Sequence, residues 1–174
     1  MAVTFTNILV GEGTLSVGTA IGNVVDVGAT QDGVEISWEP DMVDIEIDQY
    51  GDAARVVQSM TKVSVRTTVA EGTLENLRVS WGYPSSAVAG GVFSVGLHGV
   101  YPEEHVIQIV GNAPGSTATV TNSRTYVCNR AIQYSSSGHS LKRSENVAIP
   151  LDFRILPDAT QTGAEYGTIT DVTP

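Results

Sequence analysis

The sequence predicts a mainly β fold, an antiparallel β-sandwich or barrel with one flanking α-helix. Eighteen glycines and abundant Val, Thr and Ser tilt the composition toward strands. Several segments alternate apolar and polar residues with a period of two. Residues 72–82 alone combine helical spacing with start and stop signals. At 174 residues the chain fits a single domain, 1–174, able to bury a core without disulfides or a structural metal.

In chain order, Gly33 to Trp38 places Val34, Ile36 and Trp38 on one face and Glu35 and Ser37 on the other, the pattern of a half-buried strand. The preceding Asp32-Gly33 has turn chemistry, because Asp and Gly tolerate positive φ. After Pro40 the alternation resumes, with Val43, Ile45 and Ile47 opposed to Asp44, Glu46 and Asp48. The two strands flank a short Glu39-Pro40-Asp41 connection of hairpin length. Residues 49–60, QYGDAARVVQSM, show no clear period and read as a long loop, a feature that compact domains keep mainly for function.

KVSVRTTVAE (62–71) alternates again, with Val63, Val65, Thr67 and Val69 on one side. In GTLENLRVSWG (72–82), Thr73 is the expected N-cap, Leu74, Leu77 and Trp81 form a narrow apolar stripe, and Gly82 ends the helix. A stripe that narrow suits a helix lying along a sheet. A Ser, Ala and Gly-rich loop spans Pro84 to Gly91. Further strands are expected within 91–100, 105–111, 118–134 and 146–156, the last at an edge or bulge because it contains Pro150. SSSGHSLKRS (135–144) reads as an exposed loop with a basic spot at Lys142 and Arg143.

Charge divides the chain. Ten acids and no base lie in residues 1–54, so the formal charge of −10 comes entirely from the first third; the remainder balances nine acids with nine bases. Tight binding of nucleic acid draws on Lys and Arg to displace counterions from phosphates, so such binding is not expected. The plain reading of the acidity is solubility. The N-terminal MAVTFTNILVGEGTLSV has no basic region before its apolar residues and no small-residue cleavage site after them, so the chain is expected to start in the cytoplasm. No apolar run approaches the roughly 18 to 20 residues of a membrane span.

Signals for chemistry are weak. His98, His105 and His139 share no ligand spacing, and Cys128 in TYVCN reads as a small buried hydrophobe. Asp44, Glu46 and Asp48 superficially resemble a calcium loop. Gln49 replaces its turn glycine, however, and Arg55 stands where the bidentate acid belongs. Nucleophile-elbow, phosphate-loop, zinc-protease and dinucleotide patterns are missing. No enzymatic activity and no cofactor is expected. A hydrolase using the acidic strands would require a convergent acid pair, and a carbohydrate- or protein-binding β-sandwich would require clustered exposed aromatics.

The order of the motifs adds a resemblance. GATQDGVEI, DMVDIEIDQYGDA, an alternating strand, VAEGTLENL and finally NVAIPLDFRILPDAT together resemble the tail tube protein of long-tailed bacteriophages, over residues 24–82 and 145–160. The resemblance implies a β-sandwich with a flanking helix, assembled as hexameric rings that stack into a hollow tube conducting DNA. It implies a structural role in the virion tail, after assembly in the bacterial cytoplasm. The partners would be further copies of the chain, a tape measure protein, tail terminator and baseplate or tip proteins, and a sheath if the tail is contractile. DNA would be only passing cargo, and no membrane is involved. By this resemblance Glu35, Glu39, Asp44, Glu46 and Asp48 are candidates to line the lumen. Gln49, Tyr50, Gly51, Asp52, Arg55, Val56 and Val57 are candidates for a loop reaching a neighbouring subunit or ring. Leu74, Leu77 and Trp81 would pack the helix outside the barrel. Carboxylates on a lumen wall would repel phosphates within a Debye length of about 8 Å at physiological salt.

Overall fold

The computed structural model describes residues 13–46, 53–96, 101–115, 122–135, 137–138, 143 and 147–172. Among them the fold is mainly antiparallel β with one α-helix, as the composition predicts. The strands are β1 (Thr14–Gly18), β2 (Val24–Asp26), β3 (Thr30–Glu46), β4 (Ala53–Val69), β5 (Val88–Ala89), β6 (Val92–Phe93), β7 (Glu104–Asn112), β8 (Ser123–Gln133), β9 (Ile149–Ile155) and β10 (Thr168–Val172). The helix α1 covers Leu74–Ser80.

The main sheet runs β2-β1-β7-β8-β9-β4-β3, and β10 shares the edge of β8 with β9. The outer part of β8, Ser123 to Val127, pairs with β10, and its inner part, Ala131 to Gln133, pairs with β9. This long sheet is rolled. Leu15 and Val17 of β1 pack in the same cluster as Val65 and Val69 of β4, although the two strands lie near opposite ends of the order. Ile107, Ala131, Leu151 and Phe153 fill the space between them, each essentially inaccessible. Burial of each large aliphatic or aromatic side chain contributes about 1.5–3 kcal/mol.

The alternation in β4 is realised as read, since Val63, Val65, Thr67 and Val69 are all buried. β9 alternates equally cleanly, with Ile149, Leu151, Phe153 and Ile155 inward. Pro150 lies where β9 pairs with Thr68 of β4 and β8 has not yet joined. That half of the strand is an edge, as its proline requires. Cys128 is buried, and desolvation pushes its thiol up to about 11.

Helix α1 begins as expected: the Thr73 hydroxyl accepts from the Asn76 amide at 3.1 Å, and Gly82 follows the helix with φ +68°. Its docking face differs from the Leu74–Leu77–Trp81 stripe. Leu74 and Trp81 are exposed and Leu77 is only half-buried against the core, whereas Asn76, Arg78, Val79 and Ser80 are buried. The reason is hydrogen bonding. Asn76 donates to the carbonyls of Val27 (2.8 Å) and Glu71 (3.0 Å), closing the loop before β3 onto the helix. The Arg78 guanidinium bonds Glu75, Glu103 and the Tyr83 carbonyl. Burial opposes the charge on Arg78, but the two carboxylates outweigh it and raise its pKa. Trp81 instead packs on Phe93 of β6, ring centroids 5.6 Å apart. The buried face is mostly polar, so the apolar stripe does not mark the side that docks.

Within the stretch expected as a loop (84–91) followed by a strand (91–100), residues 88–93 form a tight hairpin, β5 and β6 joined through Gly90-Gly91. His98, the strand end near it, Lys142 and His139 lie outside the described residues. β1, β2 and β10 had no counterpart in the sequence reading, although Leu15 and Val17 of TLSVG do alternate inward.

Candidate interaction site: the β3–β4 hairpin

The largest departure from the sequence reading lies between residues 30 and 69. β3 and β4 are each 17 residues long and pair along their length, from Thr30 opposite Val69 to Glu46 opposite Ala53. The Glu39-Pro40-Asp41 stretch is therefore not a hairpin connection: β3 continues through it, with Pro40 opposite Thr61. Likewise 53–60 is strand, so Arg55, Val56 and Val57 are strand residues and not loop residues. Asp48, Gln49, Tyr50, Gly51 and Asp52 lie outside the described residues.

Strand geometry tolerates these irregularities by bulging. Asp32 and Gly33, with φ of +61° and +77°, are inserted between Gln31 and Val34 as a bulge within β3 where a turn was expected. The Thr67 hydroxyl donates to the Gly33 carbonyl at 2.7 Å and holds the bulge. A second irregularity puts Ser59 outside the ladder, and its hydroxyl donates to the Asp41 carbonyl at 3.2 Å. Pro40 and this bulge lie on the terminal strand pair of the sheet, the place where such devices blunt edge-to-edge pairing.

β9 accompanies β4 only from Val63 inward. Among the described residues, Arg55 to Lys62 have β3 as their one strand partner, and β3 has β4 alone. The outer half of the hairpin thus leaves the rolled body as a two-stranded arm. Both of its faces meet solvent: Met42, Val43, Ile45, Val56, Val57 and Met60 are all exposed, as is Trp38 at its base.

Alternation along the continuous β3 sorts the acids differently from the sequence reading. Ile36, Trp38, Pro40, Met42, Asp44 and Glu46 share one face; Glu35, Ser37, Glu39, Asp41, Val43 and Ile45 share the other. The hydrophobic set therefore changes face near Pro40. Glu35 and Glu39 are on one side and Asp44 and Glu46 on the other, so a single acidic face is not formed. Bases also stand opposite: Arg66 faces Glu35 across the ladder, and Lys62 faces Glu39. Arg66 reaches Asp152 of β9 at 3.2 Å, and the Ser37 hydroxyl donates to Glu39 at 3.3 Å.

An open cleft of about 240 Å³ lies where the arm leaves the body, lined by Ile36, Trp38 and Val63 on one side and by Tyr126, Tyr166 and Ile169 on the other. A second, of about 450 Å³, continues it along Gln58 to Thr61 beside Tyr166. The Tyr166 hydroxyl reaches the Thr61 carbonyl at 3.5 Å, between the two.

Other charged groups are occupied structurally. Arg124 grips Asp171 through two bonds of 2.6 and 2.7 Å, tying β10 to β8, and this pair holds the Asp171 carboxyl below its ordinary range. The Arg130 guanidinium does the same to Glu104. Burial alone would raise Glu103, but the Ser85 amide and Arg78 outweigh it and hold that carboxyl low. Among the described residues no group of three or more His, Cys, Asp or Glu side chains is placed to hold a metal. No protein-family model matches this chain, and no curated protein matches it significantly.

Proposed function

We propose that this chain is a structural subunit that assembles with copies of itself, and specifically a tail tube subunit that stacks as rings into a conduit for DNA. The observation that carries self-assembly is the arm: a paired β-ribbon exposing Met42, Val43, Ile45, Val56 and Val57 on two faces. An isolated two-stranded ribbon is marginally stable in water, and apolar residues on both faces are normally covered. Among the described residues, β3 and Arg55 to Lys62 of β4 have no further strand beside them, so their outer edges add backbone donors and acceptors that a neighbouring subunit would satisfy.

The specific assignment to a tail tube rests on the motif order over 24–82 and 145–160 and agrees with the rolled antiparallel sheet and single helix. In this reading the arms of successive subunits close a barrel. The acids on both arm faces, Asp44 and Glu46 on one and Glu35 and Glu39 on the other, keep free subunits apart and leave the wall poor in phosphate-binding groups. Lys62 and Arg66 temper that effect near the arm's base. Negative-stain microscopy of the full chain at high concentration tests the proposal. Stacked rings or hollow tubes support it, and monomers at every concentration refute it.

A further inference from the structure

Helix α1 and the β5–β6 hairpin form one packed unit. The Phe93 ring packs on both Trp81 and Tyr83, with centroids 5.6 and 5.3 Å away. The Tyr83 hydroxyl donates to the Gly96 carbonyl at 2.8 Å, and the Ser94 amide to the Ala87 carbonyl at 2.9 Å. This unit rests on β9 and places Val79 in the shared core. It is joined to the body through Asn76, which donates to the Val27 carbonyl, and through Glu103, the residue before β7. One Glu103 oxygen takes the Arg78 guanidinium and the other takes the Ser85 amide at 3.0 Å. A single carboxylate of the body thus holds both the helix and the turn that follows it.

Alternation of the chain fixes what lies beside this junction. Glu103 and His105 lie on the α1 side, and Glu104 between them lies on the other, where it meets Arg130. His105 is 1% exposed. It pairs with Ala131 of β8, stands edge-on to Phe153 of β9 and has the Gly18 backbone of β1 as a polar neighbour. None of those three strands brings a charge to the ring among the described residues. The charges that face it are Arg78 and Glu75 of α1 and Glu103 beside them, and Arg78 already engages both carboxylates.

We infer that α1 and the β5–β6 hairpin form an acid-released lid: proton uptake by His105 frees them from the rolled sheet as one unit while the sheet stays folded. With the lid closed, an imidazolium would be stripped of water and would compete with Arg78 for Glu75 and Glu103. With the lid lifted, the ring meets water and that competition ends. Burial acts most strongly against the charged ring; Glu103 opposes it, Arg78 reinforces it, and Glu75 and the Gly18 backbone oppose it, leaving the pKa lowered. The open form therefore binds the proton more readily, and its population grows as the pH falls below about 6.5. The lid yields first because it is held through the affected charges. The ladders joining β4, β8 and β9 do not pass through the Arg78–Glu103 junction. The device belongs to the single chain and goes beyond the self-assembly reading.

Thiol labelling of the full chain carrying Val79→Cys tests this. Val79 lies under the lid at 4% exposure, and the native Cys128 of β8, also buried, reports on the body in the same molecule. With rates corrected for the pH dependence of a free thiol, labelling at position 79 should rise several-fold from pH 7.5 to 5.5, to a ceiling of about tenfold. It should stay well ahead of Cys128 throughout, and adding His105→Phe or His105→Leu should remove the rise. In the unsubstituted chain, hydrogen exchange supplies the same comparison: the Leu77 and Trp81 amides, bonded to the Thr73 and Leu77 carbonyls, should open ahead of those of Val65 and Phe153 at pH 5.5. Equal labelling of the two cysteines at pH 5.5 would mean that the whole molecule unfolds. A rate at position 79 that ignores pH, or rises as steeply without His105, would mean that this residue does not control the lid. Each of these results overturns the inference and leaves the self-assembly reading standing.

Discussion

Trp38 of β3 stands directly opposite Val63 of β4, yet Val63 is buried at 9% exposure while Trp38 is 59% exposed. Two residues paired on one face of one ladder normally share an environment. Here the body of the protein covers only the β4 partner, because β9 ends opposite Val63. This pair marks the line at which the hairpin stops being core and becomes arm.

Substitution of Trp38 by Ser should therefore barely change folding stability, within about 1 kcal/mol, since little apolar contact is lost in the free chain. Phe153→Ala, by contrast, empties a fully buried core position and should cost about 3–5 kcal/mol. Chemical denaturation of the two variants checks the difference. Trp38→Ser should nevertheless weaken association, as read by sedimentation.

How much of this was legible beforehand follows from where burial is one-sided. KVSVRTTVAE could be read because Val63, Val65 and Val69 face a core while Ser64 and Arg66 do not. β9 was legible for the same reason. The arm was not, because both of its faces are exposed and nothing in a folded monomer selects an alternation there. The hydrophobic set crosses sides at Pro40, and Ser59 breaks the register of the partner strand. Both features imitate a turn and a loop. The helix stripe misled for a different reason: Asn76 and Arg78 are buried by their hydrogen bonds, which a hydrophobic pattern does not register.

Arg78 is nearly inaccessible and holds Glu103, itself mostly covered. Removing one partner of such a pair leaves the other uncompensated, so Arg78→Ala should destabilise by about 3–5 kcal/mol. The double variant Arg78→Met with Glu103→Gln should recover much of that loss. Thermal unfolding of the single and double variants provides the comparison.

His105 is almost completely buried, edge-on to Phe153, with the Gly18 backbone as its polar neighbour among the described residues. Burial lowers its pKa; Glu103, Glu75 and the Gly18 backbone oppose the shift, and Arg78 reinforces it. The unfolded chain, with an ordinary histidine near pKa 6.5, binds the proton more readily than the folded one. Stability should thus be complete above about pH 6.5 and fall as the pH drops below it. In His105→Phe the decline between pH 6.5 and 5 should be smaller. Melting temperatures measured across that interval test the assignment, and equal slopes in the two proteins would refute it.

Like-charge repulsion between arms should suppress assembly at low ionic strength, where the Debye length reaches about 30 Å at 0.01 M salt, and relax near 0.15 M, where it is about 8 Å. A variant with Glu35→Gln, Glu39→Gln, Asp44→Asn and Glu46→Gln should assemble with little dependence on salt. Light scattering over a salt series reads this directly. On the tail tube proposal, the same variant in an infectious particle should slow DNA release while leaving tubes intact.

Hydrogen exchange of the arm, compared between dilute and assembled protein, addresses the central claim most directly. Amides of Met42 to Ile45 and Val56 to Gln58 should exchange quickly in the dilute chain and become strongly protected on assembly, while Ile107 and Phe153 stay protected in both. Assemblies in which the arm amides exchange as fast as in the free chain would contradict the account.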